Sequence, residues 1–360
     1  MILMVTGCTT GQVVHEEKNI QIGAIQALSG ETSAWGIRTK EGVDLAVDEV
    51  NNKGGINGRK IEIIYEDDSC VQQKSIGAAY KLMNQGIKVI MGPTCSSSVL
   101  SVAPITEDAK VLIFVTVGSS DKIKDAGDYV FRNRIVGAHQ AATIAEFSYD
   151  TLGSRTAATL YIDRDNGITY KNGFRKKFEE LGGRVLLEDS YMKGTSDFLL
   201  QLSKIKALNP DVLFIAGQAS EVAVKKAREI GITSTFVGPN LVETKEMLNI
   251  AGTAAEGMYY VYSTFGIDKT DEYNEFQDKF MAKYDKKSDV FSANAYDAAM
   301  LVFDSIEKCG EEDSSCMRDY LYSIEDYKGA SGSLTFDEFG EVTKPLVIKK
   351  VENGEFVVVG

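Results

Sequence analysis

The feature that most constrains this chain is a regular alternation of short apolar segments with amphipathic ones. The apolar segments of a first series predict strands, at residues 20–28, 60–66, 89–91 and 111–117. Helices are predicted between them at residues 39–52, 72–85 and 97–109, the first with Val43, Ala46, Val47 and Val50 at helical spacing. Short apolar strands with crossover helices predict a parallel sheet that is covered on both faces.

A second series of the same kind follows along the chain. Its strands are predicted at residues 156–163, 184–191, 211–216, 235–238 and 257–265, and helices at residues 168–181, 197–208, 221–230, 271–284 and 292–309. The last segment, residues 332–360, contains three more strand-like pieces. A chain of 360 residues is long enough for two well-buried α/β cores.

No flexible or low-complexity linker separates the two series, which predicts two lobes joined by ordered crossovers near Val136, Gly266 and Glu341. In this division lobe 1 comprises residues 19–136 and 266–340, and lobe 2 comprises residues 137–265 and 341–360. Ligands of open α/β sheets lie beyond the carboxyl ends of the strands. Two sheets that face each other therefore predict a cleft walled by strand-to-helix loops.

The charge and the motifs of the chain narrow its function. Thirty-nine basic and 52 acidic residues give a net charge of −13, which argues against nucleic acid and anionic lipid headgroups as partners. The sequence has no nucleophile elbow, phosphate loop, GxGxxG turn or metal-spaced histidines. His139 has no obvious Ser or Cys partner and is interpreted as structural. The sequence thus indicates a binding protein without metal or cofactor, not an enzyme.

The N-terminal segment, residues 1–18, starts with apolar residues, continues to Gly7 and Cys8, and then becomes polar. An apolar segment followed by a small residue and Cys is typical of the end of a bacterial lipoprotein signal peptide, with Cys8 as the lipidated residue. The basic region and most of the apolar region of such a signal are missing. A truncated signal and a chance cysteine are therefore both open interpretations. The first places the protein outside the cytoplasm, held to the membrane only by its lipid.

Four cysteines remain after Cys8 is set aside, and an even number can pair. Cys70 and Cys95 follow two predicted strands that we expect to be neighbours, which brings these cysteines within bridging distance. Cys309 and Cys316 flank a polar turn that a second bridge would close. Metal binding is the competing explanation, but the chain has no CxxC pair and only two histidines. Disulfides are typical of extracytoplasmic proteins.

The most informative motif is the serine run Ser96-Ser97-Ser98, where the strand 89–91 leads into a helix. The free N–H groups and partial positive charge of a helix start, with serine hydroxyls added, suit a carboxylate or another small anion. A serine that only caps the helix is an equally open interpretation.

The next strand ends similarly at Val117-Gly118-Ser119. There Gly118 allows close approach to the backbone and Ser119 is a second donor, or the segment is a plain polar turn.

Two aromatic residues are candidates for a wall of the ligand site. Trp35, the only tryptophan, lies in a loop predicted between a strand and a helix, and Phe291 directly precedes the helix 292–309. An aromatic ring in such a position can hold a ligand against one lobe. Partly buried packing residues are the alternative for both.

Together these segments resemble the Leu/Ile/Val-binding protein family of periplasmic receptors, which serve ABC importers. The resemblance runs from about residue 19 to residue 360. It rests on Ile22-Gly23 with Ser29-Gly30, Gly42 to Ala46, Val50 to Gly58, Asp67 to Cys70, Gly92 to Ser98, Gly238-Pro239, Ala255 to Gly257, Leu334 to Asp337 and Val351 to Phe356. It implies an α/β fold of the periplasmic binding protein type I, with two Rossmann-like lobes, parallel sheets and three crossovers. It also supports a Cys70–Cys95 bridge beside the site.

The resemblance implies roles for individual residues. Ser96 and Ser119 hold the ligand carboxylate with their hydroxyls, helped by backbone groups around residues 117–118. Trp35 matches an aromatic wall position of lobe 1, and Phe291 matches an aromatic residue near the ligand side chain.

Lobe 2 departs from the family pattern at three positions. Asn166 and Gln218 stand where tyrosines are usual, and Asn240 stands where amino-acid binders have an acid for the α-ammonium group. Loss of that acid removes a charge-assisted contact of about 1.5–3 kcal/mol. The ligand therefore either lacks an ammonium group or meets another acid, such as Glu243 or Asp163. The amide-rich wall indicates a ligand more polar than leucine.

The resemblance thus implies the extracytoplasmic solute-binding subunit of an ABC importer. We expect it to close two lobes over an amino acid, branched-chain-like or more polar, or over a similar small carboxylate, and to dock on ABC permease subunits. A sensor of the same fold that signals instead of transporting is the alternative. An enzyme on this fold is disfavoured because no nucleophile–base pair is visible.

Overall fold

The computed structural model describes residues 18–311 and 313–359, so Cys8 and the predicted lipid tether lie outside the described residues. The strands are β1 (Ile20–Gln26), β2 (Ile61–Asp67), β3 (Val89–Met91), β4 (Leu112–Val115), β5 (Val130–Arg132), β6 (Thr156–Ile162), β7 (Arg184–Tyr191), β8 (Val212–Ala216), β9 (Thr235–Gly238), β10 (Tyr259–Ser263), β11 (Tyr327–Gly329), β12 (Gly332–Leu334), β13 (Leu346–Glu352) and β14 (Glu355–Val358).

The α-helices are α1 (Ser33–Asn52), α2 (Gln72–Asn84), α3 (Ser96–Asp108), α4 (Gly137–Asp150), α5 (Asp165–Glu180), α6 (Leu199–Leu208), α7 (Ser220–Glu229), α8 (Asp271–Tyr284), α9 (Val290–Cys309) and α10 (Ser314–Tyr322). None of the helices in the described part of the chain is both long enough and apolar enough to cross a bilayer.

The sheet of lobe 1 has the strand order β2-β1-β3-β4-β5, and all of its neighbouring strands are parallel. Successive strand residues pack on opposite faces: Phe114 joins a core with α1 and α9, whereas Val115 joins a core with α2 and α3. The strand order reverses between β1 and β3, and in such sheets ligands bind beyond the carboxyl ends at this switch point.

The larger sheet, of lobe 2, has the order β14-β13-β10-β9-β8-β6-β7. Its five parallel strands, β7-β6-β8-β9-β10, repeat the connectivity of lobe 1. The last two strands are antiparallel, so this sheet is mixed rather than purely parallel. Asn353 and Gly354, with φ of 53° and 73°, form the tight turn between β13 and β14, and two residues with positive φ are typical of such hairpins.

Three segments pass between the two sheets, at residues 133–136, 264–270 and 335–345. They contain the predicted crossings near Val136, Gly266 and Glu341. The predicted fold class, two Rossmann-like α/β lobes with three crossovers, is confirmed, while the residue at which each lobe ends stays a prediction.

Helix α1 begins at Ser33, six residues before the predicted start at residue 39. The prediction that Trp35 lies in a loop is therefore wrong, because Trp35 belongs to the first turn of α1. Gly36 also lies inside this helix. A Cβ at Gly36 would lie 2.1 Å from the carbonyl oxygen of Ala27, so this glycine allows the helix to pack tightly against the end of β1.

Both cysteine pairs form disulfides, with Cα atoms 5.6 Å apart for Cys70–Cys95 and 5.7 Å apart for Cys309–Cys316. The expectation that Cys70 and Cys95 follow neighbouring strands is wrong, because β1 lies between β2 and β3. The chain after β2 turns back across the end of β1, with Ser69 and Cys70 both at positive φ. This bridge therefore ties together two loops at the carboxyl end of the lobe 1 sheet.

Candidate ligand-binding site

A cleft between the carboxyl ends of the two sheets contains ≈410 Å³ of space that no protein atom fills, part of it open to solvent. Its lining residues are Trp35, Thr94, Cys95, Ser96, Ser97, Val117, Gly118, Ser119, Arg134, Arg164, Asn166, Gln218 and Leu241. Seven of the nine residues predicted to bind ligand are in this set: Trp35, Ser96, Val117, Gly118, Ser119, Asn166 and Gln218.

Ser96 is the first residue of α3, and its hydroxyl is held in one orientation. Its Oγ accepts the backbone N–H groups of Ser119 at 3.0 Å and of Ser120 at 3.1 Å. A hydroxyl that already accepts two hydrogen bonds has its own O–H left to donate. No side chain caps α3, so Ser96 does not serve as a cap of its own helix. The free N–H groups of the first turn of α3 lie beside this hydroxyl.

The turn after β4 is held by arginine from the side opposite Ser96. Arg132 donates to the carbonyl oxygens of Gly118 at 3.1 Å and Ser120 at 2.8 Å. These contacts fix the carbonyls toward Arg132 while two N–H groups of the turn point to Ser96. Ser119 is buried, and its Oγ has no hydrogen-bond partner among the described residues. Ser96 and Ser119 therefore place two hydroxyl donors at one end of the cleft.

The structure gives a packing reason for the glycine at position 118, while the close approach of a ligand to its backbone stays a prediction. A Cβ at this position would lie 3.1 Å from Cδ1 of Ile123 and 3.2 Å from Cγ1 of Val115. The glycine therefore relieves packing inside lobe 1, and its backbone lines the cleft as a consequence.

Arg134, which the sequence analysis did not identify, lies at the base of the cleft and is only 4% exposed. It donates to the carbonyl oxygen of Val117, to Oδ1 of Asn240 at 2.8 Å and, at 3.4 Å, to the hydroxyl of Tyr170. Its guanidinium carbon lies 5.2 Å from the ring centroid of Phe291. In the described chain it forms no salt bridge, and its buried Nε has no partner.

A second arginine reaches the cleft from lobe 2. Arg164 directly precedes α5, and its Nη2 donates to Oγ of Ser97 at 3.0 Å and to the carbonyl oxygen of Cys70 at 3.3 Å. Both acceptors belong to lobe 1, so Arg164 spans the cleft. Its Nη1 is buried without a partner, and within the described residues Arg164 forms no salt bridge.

Asn240 and Phe291, the other two predicted residues, line an adjoining cavity that shares Arg134 with the main cleft. The side chain of Asp289 caps α9, accepting the N–H groups of Phe291 at 2.9 Å and Ser292 at 3.0 Å, and this cap fixes Phe291 in the first helical turn. Phe291 is buried beneath Arg134, so it supports the arginine and does not line the main cleft.

The orientation of the Asn240 amide follows from its partner. An arginine can only donate hydrogen bonds, so the atom of Asn240 that faces Arg134 is the carbonyl oxygen. The remaining Nδ2 is a donor. The position at which the family resemblance expects an acid thus offers a neutral amide whose oxygen already faces a cation.

Neither of the two acids considered as substitutes lines the cleft or the adjoining cavity. The carboxylate of Glu243 accepts from the hydroxyl of Tyr260 at 2.6 Å and from Nζ of Lys349 at 2.5 Å. Asp163 is exposed to solvent. The proposal that either acid meets an ammonium group is therefore wrong for this arrangement of the lobes.

The other lobe 2 residues of the cleft are two amides and the apolar Leu241. Asn166 lies in the first turn of α5, and Gln218 follows β8. The backbone carbonyl of Gln218 accepts from the hydroxyl of Tyr191 at 2.6 Å, which fixes the loop, while its side-chain Oε1 is buried without a partner. Gln218 thus offers a neutral hydrogen-bonding group to a ligand.

Contacts across the rim hold the two lobes together. Lys122 of lobe 1 forms a 2.7 Å salt bridge with Asp165 of lobe 2. The N–H of Asp121 donates to Oγ1 of Thr169 at 3.2 Å. With Arg164, these contacts describe a conformation in which the lobes are closed over the cleft.

Comparison with known proteins places the chain in a family. The family model described as periplasmic binding protein matches residues 19–355. The leucine-, isoleucine-, valine-, threonine- and alanine-binding protein of Pseudomonas aeruginosa is 27% identical over 326 residues, which cover 90% of this chain and 87% of that protein.

Solved structures agree with this match. A leucine binding protein from Thermotoga maritima superposes with a TM-score of 0.89 at 26% identity, covering 95% of this chain and 98% of that chain. A solute binding protein of an ABC transporter from R. palustris, in complex with benzoate, has a TM-score of 0.85 at 20% identity, covering 95% and 96%, and supports the fold alone. These relatives are named as binding proteins, in agreement with the prediction that the chain is not an enzyme. The chain belongs to the periplasmic binding protein family.

Proposed function

We propose that this protein is the extracytoplasmic solute-binding subunit of an ABC importer and that it binds a small carboxylate between its lobes. The hydroxyl of Ser96 carries the proposal, because two backbone N–H groups orient it as a donor beside the free N–H groups of α3. Hydroxyls and amide hydrogens at a helix start are a site for anions. The P. aeruginosa and T. maritima relatives are named for amino acids, which carry a carboxylate.

Binding proceeds by closure of the lobes. Ser96 and Ser119 of lobe 1 receive the carboxylate while the cleft is open, and Arg164 and Gln218 of lobe 2 reach it when the cleft closes. A ligand that contacts both lobes only in the closed state shifts the equilibrium toward that state. The closed surface is then the one that the permease subunits bind.

The location outside the cytoplasm is supported by the two disulfides, which oxidising compartments favour. We also propose that a lipid on Cys8 attaches the protein to the membrane, as the preceding apolar residues and Gly7 suggest. Fractionation of cells that produce the full chain tests the anchor. The Cys8→Ala variant is expected in the soluble fraction and the parent protein in the membrane fraction; equal distribution of both contradicts the anchor.

Isothermal titration with small carboxylates and the twenty amino acids tests the binding function. Ser96→Ala is expected to weaken binding of every ligand that carries a carboxylate. Ser101→Ala is the matched control, because Ser101 lies on the same helix, bonds to the carbonyl of Ser98 at 2.8 Å and does not line the cleft. The proposal fails if no carboxylate binds, or if Ser96→Ala and Ser101→Ala have equal affinities.

A further inference from the structure

Among the described residues that line the cleft, two side chains are cationic and none is anionic. Arg134 and Arg164 line it, and no Asp or Glu is among the lining residues. Burial lowers the pKa of the Arg134 guanidinium, and the like charge of Arg132 acts in the same direction. A guanidinium nevertheless keeps its proton in proteins, so the group is a buried cation. Proteins rarely bury a charge without a partner.

The charged residues of the adjoining cavity do not compensate the positive charge of the cleft. This cavity is lined by Arg134 and also by Lys344, which donates to Oγ of Ser331 at 2.6 Å. Ser331 in turn bonds to Asp297, whose charge acts on Lys344. Lys344 and Asp297 therefore compensate each other, and Arg134 and Arg164 leave the cleft with two positive charges.

An amino acid fits this arrangement poorly. Its ammonium group would meet two like charges, because Oδ1 of Asn240 and the carbonyl oxygen of Val117 already accept from Arg134, and the unpartnered Oε1 of Gln218 is only a neutral acceptor. A zwitterion also carries no net charge, so it leaves both arginines uncompensated. A ligand with one carboxylate and no ammonium compensates only one of them.

We infer that the ligand is a small dianion, with two carboxylates and no ammonium group. This inference rests on the proposed function and names its substrate class. The first carboxylate binds the hydroxyls of Ser96 and Ser119. The second binds at Arg134, whose Nε has no protein partner, with Arg164 closing over the ligand from lobe 2. The side-chain N–H groups of Gln218 donate to the first carboxylate when the cleft closes. Arginine is suited to this role because its planar donors match a carboxylate.

Titration with matched probes tests this inference. Glutarate, valerate and leucine are similar in size but carry two carboxylates, one carboxylate, and a carboxylate with an ammonium group. Wild-type protein is expected to bind a four- or five-carbon dicarboxylate (succinate or glutarate) at least about 100-fold more tightly than valerate, and leucine no better than valerate. Leucine or valerate binding as tightly as the better dicarboxylate overturns the inference.

Variants of Arg134 locate the second carboxylate. Arg134→Met removes the charge and keeps an unbranched side chain, so the preference for dicarboxylate over valerate is expected to fall below about tenfold. Arg184→Met is the control for net charge, because Arg184 is exposed at the start of β7, and it keeps the full preference. Arg134→Lys retains a cation and is expected to keep a preference of about tenfold or more, which gives a second test if Arg134→Met does not fold.

The outcomes separate this inference from the proposed function. If Ser96→Ala weakens valerate binding but dicarboxylates have no advantage, the dianion is excluded and the carboxylate site stands. If none of the carboxylates binds, both fail. An unchanged dicarboxylate preference in Arg134→Met also excludes the assignment of the second carboxylate to this arginine.

Discussion

Arg132 and Arg134 lie two residues apart at the end of β5, and the protein treats their charges in opposite ways. Arg132 is fully buried and bonds to Glu341 through Nε at 3.0 Å and Nη2 at 2.5 Å. Arg134 is 4% exposed, and its protein contacts are two neutral oxygens, a tyrosine hydroxyl and an aromatic ring. One charge is compensated by the fold, and the other is not.

The difference separates a structural cation from a functional one. Glu341 belongs to the third crossover, so its pair with Arg132 ties that crossover to the end of β5. Arg134 lies in the first crossover, two residues after Arg132, and its guanidinium lines the cleft. A buried charge that the fold leaves uncompensated indicates a site where a ligand supplies the opposite charge.

The largest effect is expected for Arg132→Met. This change leaves the Glu341 carboxylate buried without its partner, so the free energy of unfolding at pH 7 is expected to fall by about 3–5 kcal/mol. Urea unfolding measures it. The double variant Arg132→Met with Glu341→Leu removes both charges and is expected to recover much of the loss. A loss below about 1 kcal/mol in the single variant contradicts the structural role of Arg132.

The substitution Asn240→Asp gives Arg134 a carboxylate partner of its own. The new carboxylate stands where Oδ1 accepts from Arg134 at 2.8 Å, so it competes with the ligand for the same guanidinium. We expect the affinity for a dicarboxylate to fall by about tenfold or more. The free energy of unfolding without ligand is expected to rise by about 1–2 kcal/mol. Asn240→Leu, which removes the amide without adding charge, is the control, and equal effects of the two substitutions argue against charge compensation.

An ion cluster around Glu49 on the outside of lobe 1 shows how much a salt bridge in contact with water contributes to stability, for comparison with the buried pair of Arg132 and Glu341. Burial raises the pKa of the Glu49 carboxyl, but hydrogen bonds from Lys279, Lys53 and Tyr296 outweigh it and bring the pKa down to about 2 from an ordinary 4.5. The folded state thus binds this proton less readily than the unfolded one. The resulting stability is present above about pH 4.5 and is lost as the pH falls toward 2.

Glu49→Gln is therefore expected to cost about 1 kcal/mol of unfolding free energy at pH 7, because water screens the exposed lysine of the cluster. The difference from wild type is expected to shrink below pH 4.5 and to vanish only below about pH 2. Unfolding curves across this range measure it. A difference that does not change with pH means that Glu49 contributes through packing and not through its charge.

The fold was predictable because its signals are local. Apolar segments such as residues 212–216 are buried strands, and glycines such as Gly86 and Gly231 follow the ends of helices. The start of α1 was not predictable in this way, because Gly36 is explained by a contact with Ala27 in another element. The position of β1 between β2 and β3 is likewise a tertiary property, which cannot be predicted from the sequence of any single segment.

The site was predictable where a motif carries it. Ser96 and Ser119 follow strands, and the cleft forms at the carboxyl ends of those strands. Arg134 gives only a weak signal: a second arginine, two residues after Arg132, in a short polar stretch between the apolar residues 130–131 and 135–136. Its importance depends on groups that are distant in sequence, among them Asn240 and Phe291. It also depends on the absence of Asp and Glu from the described residues that line the cleft and the adjoining cavity.

Unfolding of the Arg134→Met variant, with and without saturating dicarboxylate, tests the central claim most directly. If the charge of Arg134 serves the ligand, the variant without ligand is expected to have a free energy of unfolding within about 1 kcal/mol of wild type, because the lost hydrogen bonds are offset by removal of a buried charge. The stabilisation that dicarboxylate gives wild type is expected to be lost. A ligand-free variant destabilised as severely as Arg132→Met, with its stabilisation by dicarboxylate intact, would contradict the account.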